Sequence, residues 1–273
     1  MNSWIDGRAA AKLDPRDRGL NYGDGVFETM RVRRRVIRFL DYHMERLNEG
    51  CRRLAISAPN PVLLRNELVR IAARRPEAVL KLIVTRGIGT RGYRPSGRER
   101  CTRVISVHPL SRQAARATES PVRVRMCAMR LGVNETLGGL KTLNRLESVL
   151  ARAEWSDARI WEGLMRDADD NIVCGTMSNI FIKRGSSLLT PKLDRCGVAG
   201  VMRRWVLEQA GALHLHAGEV RLSWDDLRKA DEAFMTNAVV GIVPLAVIQH
   251  GRRQVRFSER ATASRLRSAL EML

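Results

Sequence analysis

Acidic residues and aromatic rings are both scarce in this sequence. Across 273 residues, 29 aspartates and glutamates face 48 lysines and arginines, a formal charge of +19, and rings make up only 5% of the chain. A chain this basic suggests an anionic partner, nucleic acid first. A single-strand platform, however, interleaves its cations with stacking rings. Here the arginines run from end to end without a basic arm, and clusters stay short, as in Arg31 to Arg35. The excess charge therefore reads as a solvated arginine surface, with no specific nucleic acid as partner. Apolar runs of membrane-spanning length are also missing, so no membrane partner is expected. Residues Met1 to Asp6 lack a basic start followed by an apolar core, so no secretory signal is read there. Cysteine is sparse too. Cys51, Cys101, Cys127, Cys174 and Cys196 are scattered and never form Cys-x-x-Cys. That argues for free thiols in a reducing cytoplasm and against a metal site.

What the chain does have is 44% hydrophobic residues, enough over this length for one large domain or two smaller ones. Residues 24–40 read as a β-hairpin through the turn at Arg33-Arg34-Arg35. Asp41 is placed to cap a helix with the stripe Met44, Leu47, Cys51 and Leu54. Asn60 and Pro61 open a second helix, with Leu63, Leu64, Leu68 and Ile71 on one face. Runs at 78–85 and 103–107 complete a small α+β unit over residues 1–108, and a polar linker follows at 109–118. From 119 to 273 short strands alternate with helices at 144–155, 201–210, 224–229 and 259–272, giving a larger β-rich domain. His214 and His216 alternate with leucines and are expected on one solvated strand face.

Gly87-Ile88-Gly89-Thr90-Arg91-Gly92 spells GxGxxG, but Tyr93-Arg94-Pro95-Ser96-Gly97 follows, which cannot continue a helix. A dinucleotide fingerprint must open one. The glycines instead suit a flexible loop between antiparallel strands, from which Arg91 and Tyr93 reach a site.

Two stretches carry chemistry. In Gly138-Gly139-Leu140-Lys141-Thr142-Leu143-Asn144-Arg145-Leu146-Glu147, a lysine precedes an apolar run at helical spacing: Leu143, Leu146, Val149, Leu150, Ala153. At a helix entrance, the dipole and partial burial both lower an ammonium's pKa, as a Schiff-base lysine and proton carrier requires. The second, Gly197-Val198-Ala199-Gly200, precedes a helix near Val201; glycines allow close approach, and free amides at a helix start bind phosphate. A primary amine and a phosphate cup together are what pyridoxal 5′-phosphate needs.

With those residues in view, the sequence resembles the fold type IV pyridoxal-phosphate enzymes, which include branched-chain and D-amino-acid aminotransferases. Within them it is most similar to the aminodeoxychorismate lyases. The matching blocks are Asp17 to Thr29, His43-Met44-Glu45-Arg46-Leu47, Arg86 to Tyr93, Gly139 to Glu147, Ser178-Asn179-Ile180-Phe181, Gly197 to Arg203, and Asp231-Glu232 with Asn237-Ala238. They fall in family order over nearly the whole chain. The resemblance implies an α+β fold of two domains, a small sandwich-like one and a larger pseudo-barrel carrying the cofactor lysine.

It also implies roles. Lys141 would hold the cofactor and move the substrate proton, and Arg46 would reach the phosphate. Val198 and Ala199 would supply amides to it, with Asn237 and Ala238 closing the other side. Thr29 and Tyr93 would face the substrate, and Arg91 and Arg145 would pair with its carboxylates. A homodimer is implied, with residues 87–97 contributing to the neighbour's site. The resemblance leads to aminodeoxychorismate as substrate and 4-aminobenzoate and pyruvate as products. One departure stands out: where these enzymes set a glutamate against the pyridine nitrogen, counting back from Asn179 gives Cys174. A thiol near pKa 8.5 cannot stabilise a pyridinium as a carboxylate does. This weakens the aminotransferase alternative more than the lyase reading. A relative that binds the cofactor without catalysis and, from another class, a basic nucleic-acid-binding protein are the further alternatives.

Overall fold

The computed structural model describes residues 3–9, 12–111 and 120–273. Contacts divide the chain into two compact units, Met1–Leu110 with Leu140–Asn144, and Ser111–Gly139 with Arg145–Leu273. Of the linker read at 109–118, residues 112–118 lie outside the described residues. Lys141, assigned from sequence to the larger domain, belongs by its contacts to the first unit. The reason is a long-range pairing: the Phe27 amide donates to the Lys141 carbonyl and the Leu143 amide to the Gly25 carbonyl, each at 3.0 Å.

The first unit contains β1 (Ser3–Ile5), β2 (Arg8–Ala9), α1 (Arg18–Tyr22), β3 (Gly25–Arg33), β4 (Val36–Ile37), α2 (Leu40–Arg53), α3 (Pro61–Ala72), β5 (Glu77–Thr85) and β6 (Thr102–His108). Its strands form one antiparallel sheet in the order β2-β1-β6-β5-β3-β4. The two-residue period of β3 buries Val26, Glu28, Met30 and Val32 on one face and leaves Phe27, Thr29 and Arg31 half-exposed on the other. Met44, Leu47 and Cys51 of α2 and Leu64, Leu68 and Ile71 of α3 complete that core. Asn60 caps α3 as its sequence predicts, accepting from the Val62 and Leu63 amides at 3.0 and 3.1 Å. Two expectations need correcting. Phe39, in the left-handed region, holds the cap position of α2, and Asp41 lies inside its first turn. Leu63 is exposed while Glu67 takes a buried position on α3. Strands β1 and β2 and helix α1 were not foreseen, being too short to show a period.

The second unit contains β7 (Val122–Arg130), α4 (Leu146–Arg152), β8 (Ile160–Arg166), β9 (Ile172–Gly175), β10 (Asn179–Arg184), β11 (Ser187–Pro191), α5 (Val201–Gln209), β12 (His216–Val220), α6 (Trp224–Arg228), β13 (Glu232–Asn237), β14 (Gly241–His250), β15 (Arg253–Arg256) and α7 (Ala261–Glu271). A mixed sheet runs β12-β11-β10-β13-β14-β7-β8-β9, with β15 added on β14. Strand β9, at one end of that order, comes back against β10 and β11, which curls the sheet into a half-barrel. His214 adopts φ 57° at the end of a short 3₁₀ turn, and the strand starts only at His216. The two histidines therefore share no strand face. Leu146, Val149 and Leu150 of α4 are 69%, 61% and 49% exposed, so the apolar stripe read there is not buried within this chain. No helix among the described residues is long and apolar enough to cross a membrane.

Candidate active site

Lys141 lies along the start of β3. Val26 and Thr142 form an isolated antiparallel bridge, which fixes the lysine beside Phe27. Its Nζ stands 4.1 Å from the centre of the Phe27 ring. A ring face attracts an ammonium and shields the amine from water on that side. The helix entrance expected for this lysine is displaced, because α4 begins only at Leu146. The surroundings of β3, not a first helical turn, set its environment. Two small residues allow the arrangement. A Cβ on Gly25 would stand 2.9 Å from Leu143 Cδ1, and one on Gly23 2.5 Å from Asn144 Oδ1. Thr29 shares the β3 face that carries Phe27.

The other face of β3 carries Glu28, fully buried. Its carboxylate accepts from Arg46 Nε at 2.8 Å and Nη2 at 2.5 Å, and pairs with His43 Nδ1 at 2.6 Å. Burial alone would raise this carboxyl. The Arg46 charge and the bonds from His43 and Arg46 outweigh that and hold it at about 2. Burial pushes the His43 imidazole below its ordinary range against the pull of Glu28, and the charges of Arg46 and Lys141 add to the lowering. A neutral His43 then donates through Nδ1. Sequence reasoning named Arg46 but missed Glu28 and His43. A carboxylate at the core parity of a strand demands cations, and His43 and Arg46, three apart beside core-facing Met44 and Leu47, could have supplied the clue.

Arg91 and Tyr93 stand exposed on the 87–97 segment, Tyr93 at 85%. The flexible loop expected here is fastened. Buried Arg18 donates from Nη1 to the Gly92 carbonyl at 2.9 Å and from Nη2 to the Tyr93 carbonyl at 2.8 Å, while Asp24 holds its Nε at 2.9 Å. Tyr22 accepts from the Gly92 amide at 3.0 Å and meets the Tyr93 ring edge-on at 5.5 Å.

In the second unit, the turn at 197–200 leads into the nine-residue helix α5, whose N-terminus carries no side-chain cap. Gly197 has φ +82°, which favours glycine. A Cβ on Gly200 would lie 2.2 Å from Asn179 Oδ1. Asn179 Nδ2 in turn donates to the Val198 carbonyl at 2.9 Å, holding the turn open at its amide side. Of the two amides expected for a phosphate, that of Ala199 donates to the Gly139 carbonyl at 2.9 Å. This leaves Val198 and the first amides of α5 as the better donors. The Asn237 side chain accepts from the Val239 and Val240 amides, both at 2.9 Å, so it shapes the turn containing Ala238.

Cys174 is buried in β9, and burial pushes its thiol up to about 12, with Arg145 opposing. Arg145 stands half-buried at the start of α4, and burial lowers its guanidinium from the ordinary value, against Cys174 and Glu147. On neighbouring β8, buried Glu162 accepts from Thr176 Oγ1 at 2.6 Å and Ser178 Oγ at 2.8 Å. Burial raises its carboxyl despite these donors. Sequence reasoning did not single out Glu162, whose role is to tie the 176–178 turn ahead of β10.

Residues 25–248 match the family model of amino-transferase class IV. The chain is similar to the aminodeoxychorismate lyase of Vibrio harveyi, at 30% identity over 93% of this chain and 94% of that protein. It is also similar to a putative branched-chain-amino-acid aminotransferase of Methanocaldococcus jannaschii, at 32% identity over 90% of this chain and 87% of that one. Among solved structures, 4-amino-4-deoxychorismate lyase from Pseudomonas aeruginosa superposes with a TM-score of 0.92 at 43% identity, covering 99% of this chain and 98% of that one. Together with the two-sheet architecture, these matches establish that the chain belongs to the class IV amino-transferase family, pyridoxal-phosphate enzymes of fold type IV.

Proposed function

We propose that this enzyme is a 4-amino-4-deoxychorismate lyase, which eliminates pyruvate to leave 4-aminobenzoate, a step towards folate. The observation that carries the reading is Cys174. Its thiol, pushed up to about 12, stays neutral across the working pH range. Similarity to the P. aeruginosa and V. harveyi lyases supports the same choice.

The residues present suit pyridoxal 5′-phosphate in two respects and not in a third. Lys141 offers a primary amine against an aromatic face. The uncapped start of α5, where Gly200 leaves room for the Asn179 side chain, suits a phosphate, and Arg46 is the cation the family resemblance assigns to it. Cys174 offers no negative charge to a ring nitrogen. When bound, the cofactor would supply an electron sink at the substrate carbon bearing nitrogen.

Lys141 would remove the proton from that carbon as general base. The ether bond to the pyruvyl group then breaks, and the electron pair left in the ring completes its aromatic system. Lys141 or Thr29 would return a proton to the departing group, which leaves as pyruvate. Arg91 and Arg145 would pair with the two carboxylates, since a guanidinium meets a carboxylate through two parallel bonds. Aromatisation makes expulsion favourable without a strongly stabilised carbanion. Transamination lacks that assistance and depends more on a charged partner at the ring nitrogen, which Cys174 does not provide.

A branched-chain or D-amino-acid aminotransferase is the second reading, favoured by the 32% identity to the M. jannaschii protein. Incubation with branched-chain amino acids or D-alanine and a keto-acid acceptor separates the two. The lyase reading expects amino-group exchange far below pyruvate release from aminodeoxychorismate. Exchange at the higher rate would reverse the assignment.

A further inference from the structure

The +19 charge is not used by the chemistry above, and one cavity in the first unit gathers part of it. The cavity, of about 320 Å³, is lined by Trp4 of β1, Gly7 of the β1–β2 turn, Arg70 and Ile71 of α3, and Arg74 and Arg75 just beyond that helix. Three arginines thus stand on its wall, and among the described residues no carboxylate does. Of the nearby acids, Asp6 accepts from the Arg103 amide at 3.0 Å, and Glu67 accepts from Arg103 Nε at 3.0 Å through Oε2, while its buried Oε1 makes no hydrogen bond among the described residues. Neither Arg70 nor Arg74 makes an ion pair among the described residues.

From this arrangement we infer a second ligand site that takes a phosphate monoester carried on a flat heteroaromatic ring. Guanidinium groups match phosphate oxygens through paired, charge-assisted hydrogen bonds, and several converging ones suit a dianion better than a single carboxylate. Trp4, half-buried with part of its ring packed against the core, gives the ring of the ligand an aromatic surface held in place. Ile71 supplies an apolar floor. The volume is at the small end for ligand pockets and suits one mononucleotide-sized molecule. Gly7, on the cavity wall, has φ +81°, a left-handed backbone that favours glycine. The overall positive charge draws such anions towards the surface. A nucleoside monophosphate and a free vitamin B6 phosphate share this chemistry.

Isothermal titration of the purified protein with AMP, pyridoxine 5′-phosphate, adenosine and inorganic phosphate tests the site. Pyridoxine 5′-phosphate has no aldehyde and cannot attach to a lysine. Saturable binding of AMP or pyridoxine 5′-phosphate is expected, the tighter one identifying the source. The double variant Arg70→Ala/Arg74→Ala, which alters only exposed residues, should weaken it at least about tenfold. Trp4→Leu should weaken the ring-bearing ligands while leaving inorganic phosphate unchanged. The inference is overturned if neither phosphorylated ring binds, if the arginine variant binds as the parent does, or if inorganic phosphate binds as tightly as either of them.

Discussion

Glu28 accepts Arg46 Nε at 2.8 Å and Nη2 at 2.5 Å, while His43 Nδ1 reaches the same carboxylate at 2.6 Å. This buried cluster fixes the orientation of the arginine that the family resemblance assigns to the cofactor phosphate. Removing one partner from a buried pair leaves the other uncompensated, which costs about 3 kcal/mol or more. Glu28→Gln should therefore lower unfolding stability by about that amount at neutral pH, read by urea denaturation.

The same carboxylate predicts a pH dependence. Its folded-state pKa, about 2, lies below the ordinary 4.5, so its contribution is fully present above pH 4.5 and disappears as the pH falls towards 2. Unfolding measured from pH 6 down to pH 2 should show stability falling in that window. The slope should be smaller in Glu28→Gln. An equal slope in both proteins would assign the acid sensitivity to other groups.

Gly200 and Asn179 set the geometry of the turn before α5. A Cβ at 200 would stand 2.2 Å from Asn179 Oδ1 and push that side chain off the Val198 carbonyl. Gly200→Ala should weaken pyridoxal 5′-phosphate binding by roughly tenfold or more, equivalent to about 1.4 kcal/mol, in an absorbance titration. Binding of pyridoxal, which has no phosphate, should change much less.

Cys174→Glu would place a carboxylate in the position that the family resemblance assigns to the pyridine nitrogen. The variant should retain lyase turnover and gain amino-group exchange with a keto-acid acceptor, both measured by product chromatography. Because burial holds the native thiol neutral, the lyase pH profile of the parent should show no step attributable to it between pH 6 and pH 9. Complete loss of cofactor binding in Cys174→Glu would contradict this account of the position.

Leu146, Val149 and Leu150 give α4 an exposed apolar face, which fits the homodimer that the family resemblance implies. Val149→Glu should shift the oligomeric state towards monomer in sedimentation velocity. An unchanged dimer would move the interface elsewhere, and a monomeric parent would remove the dimer from the account.

Much of the fold was legible because period and capping agree. Asn60-Pro61 opened α3 where expected, and short strands alternate with helices from Val122 onward, although β12 starts later than the His214 pattern suggested and β15 was not foreseen. Where the readings failed, long-range contacts decided. The Lys141 stretch is recruited by β3, more than a hundred residues earlier, so neither its unit nor its local structure follows from its neighbours in sequence. Leu63 kept the helical period but faces solvent, and His214 leaves the strand pattern through a left-handed backbone. The role of Arg46 was inferred from resemblance alone. Glu28 and His43 left a clue in the strand and helix periods, but their pairing needs β3 and α2 brought together. The 87–97 segment has the composition of a flexible loop, yet Arg18, some seventy positions away, holds it.

The central claim is that Lys141 serves a cofactor-dependent elimination. The most direct test mixes purified protein, supplied with pyridoxal 5′-phosphate, with 4-amino-4-deoxychorismate and quantifies 4-aminobenzoate and pyruvate beside a Lys141→Ala control. Equimolar release of both products by the parent and none above background by the variant is the predicted result. Equal release by Lys141→Ala, or none by a parent that carries its cofactor, would contradict it.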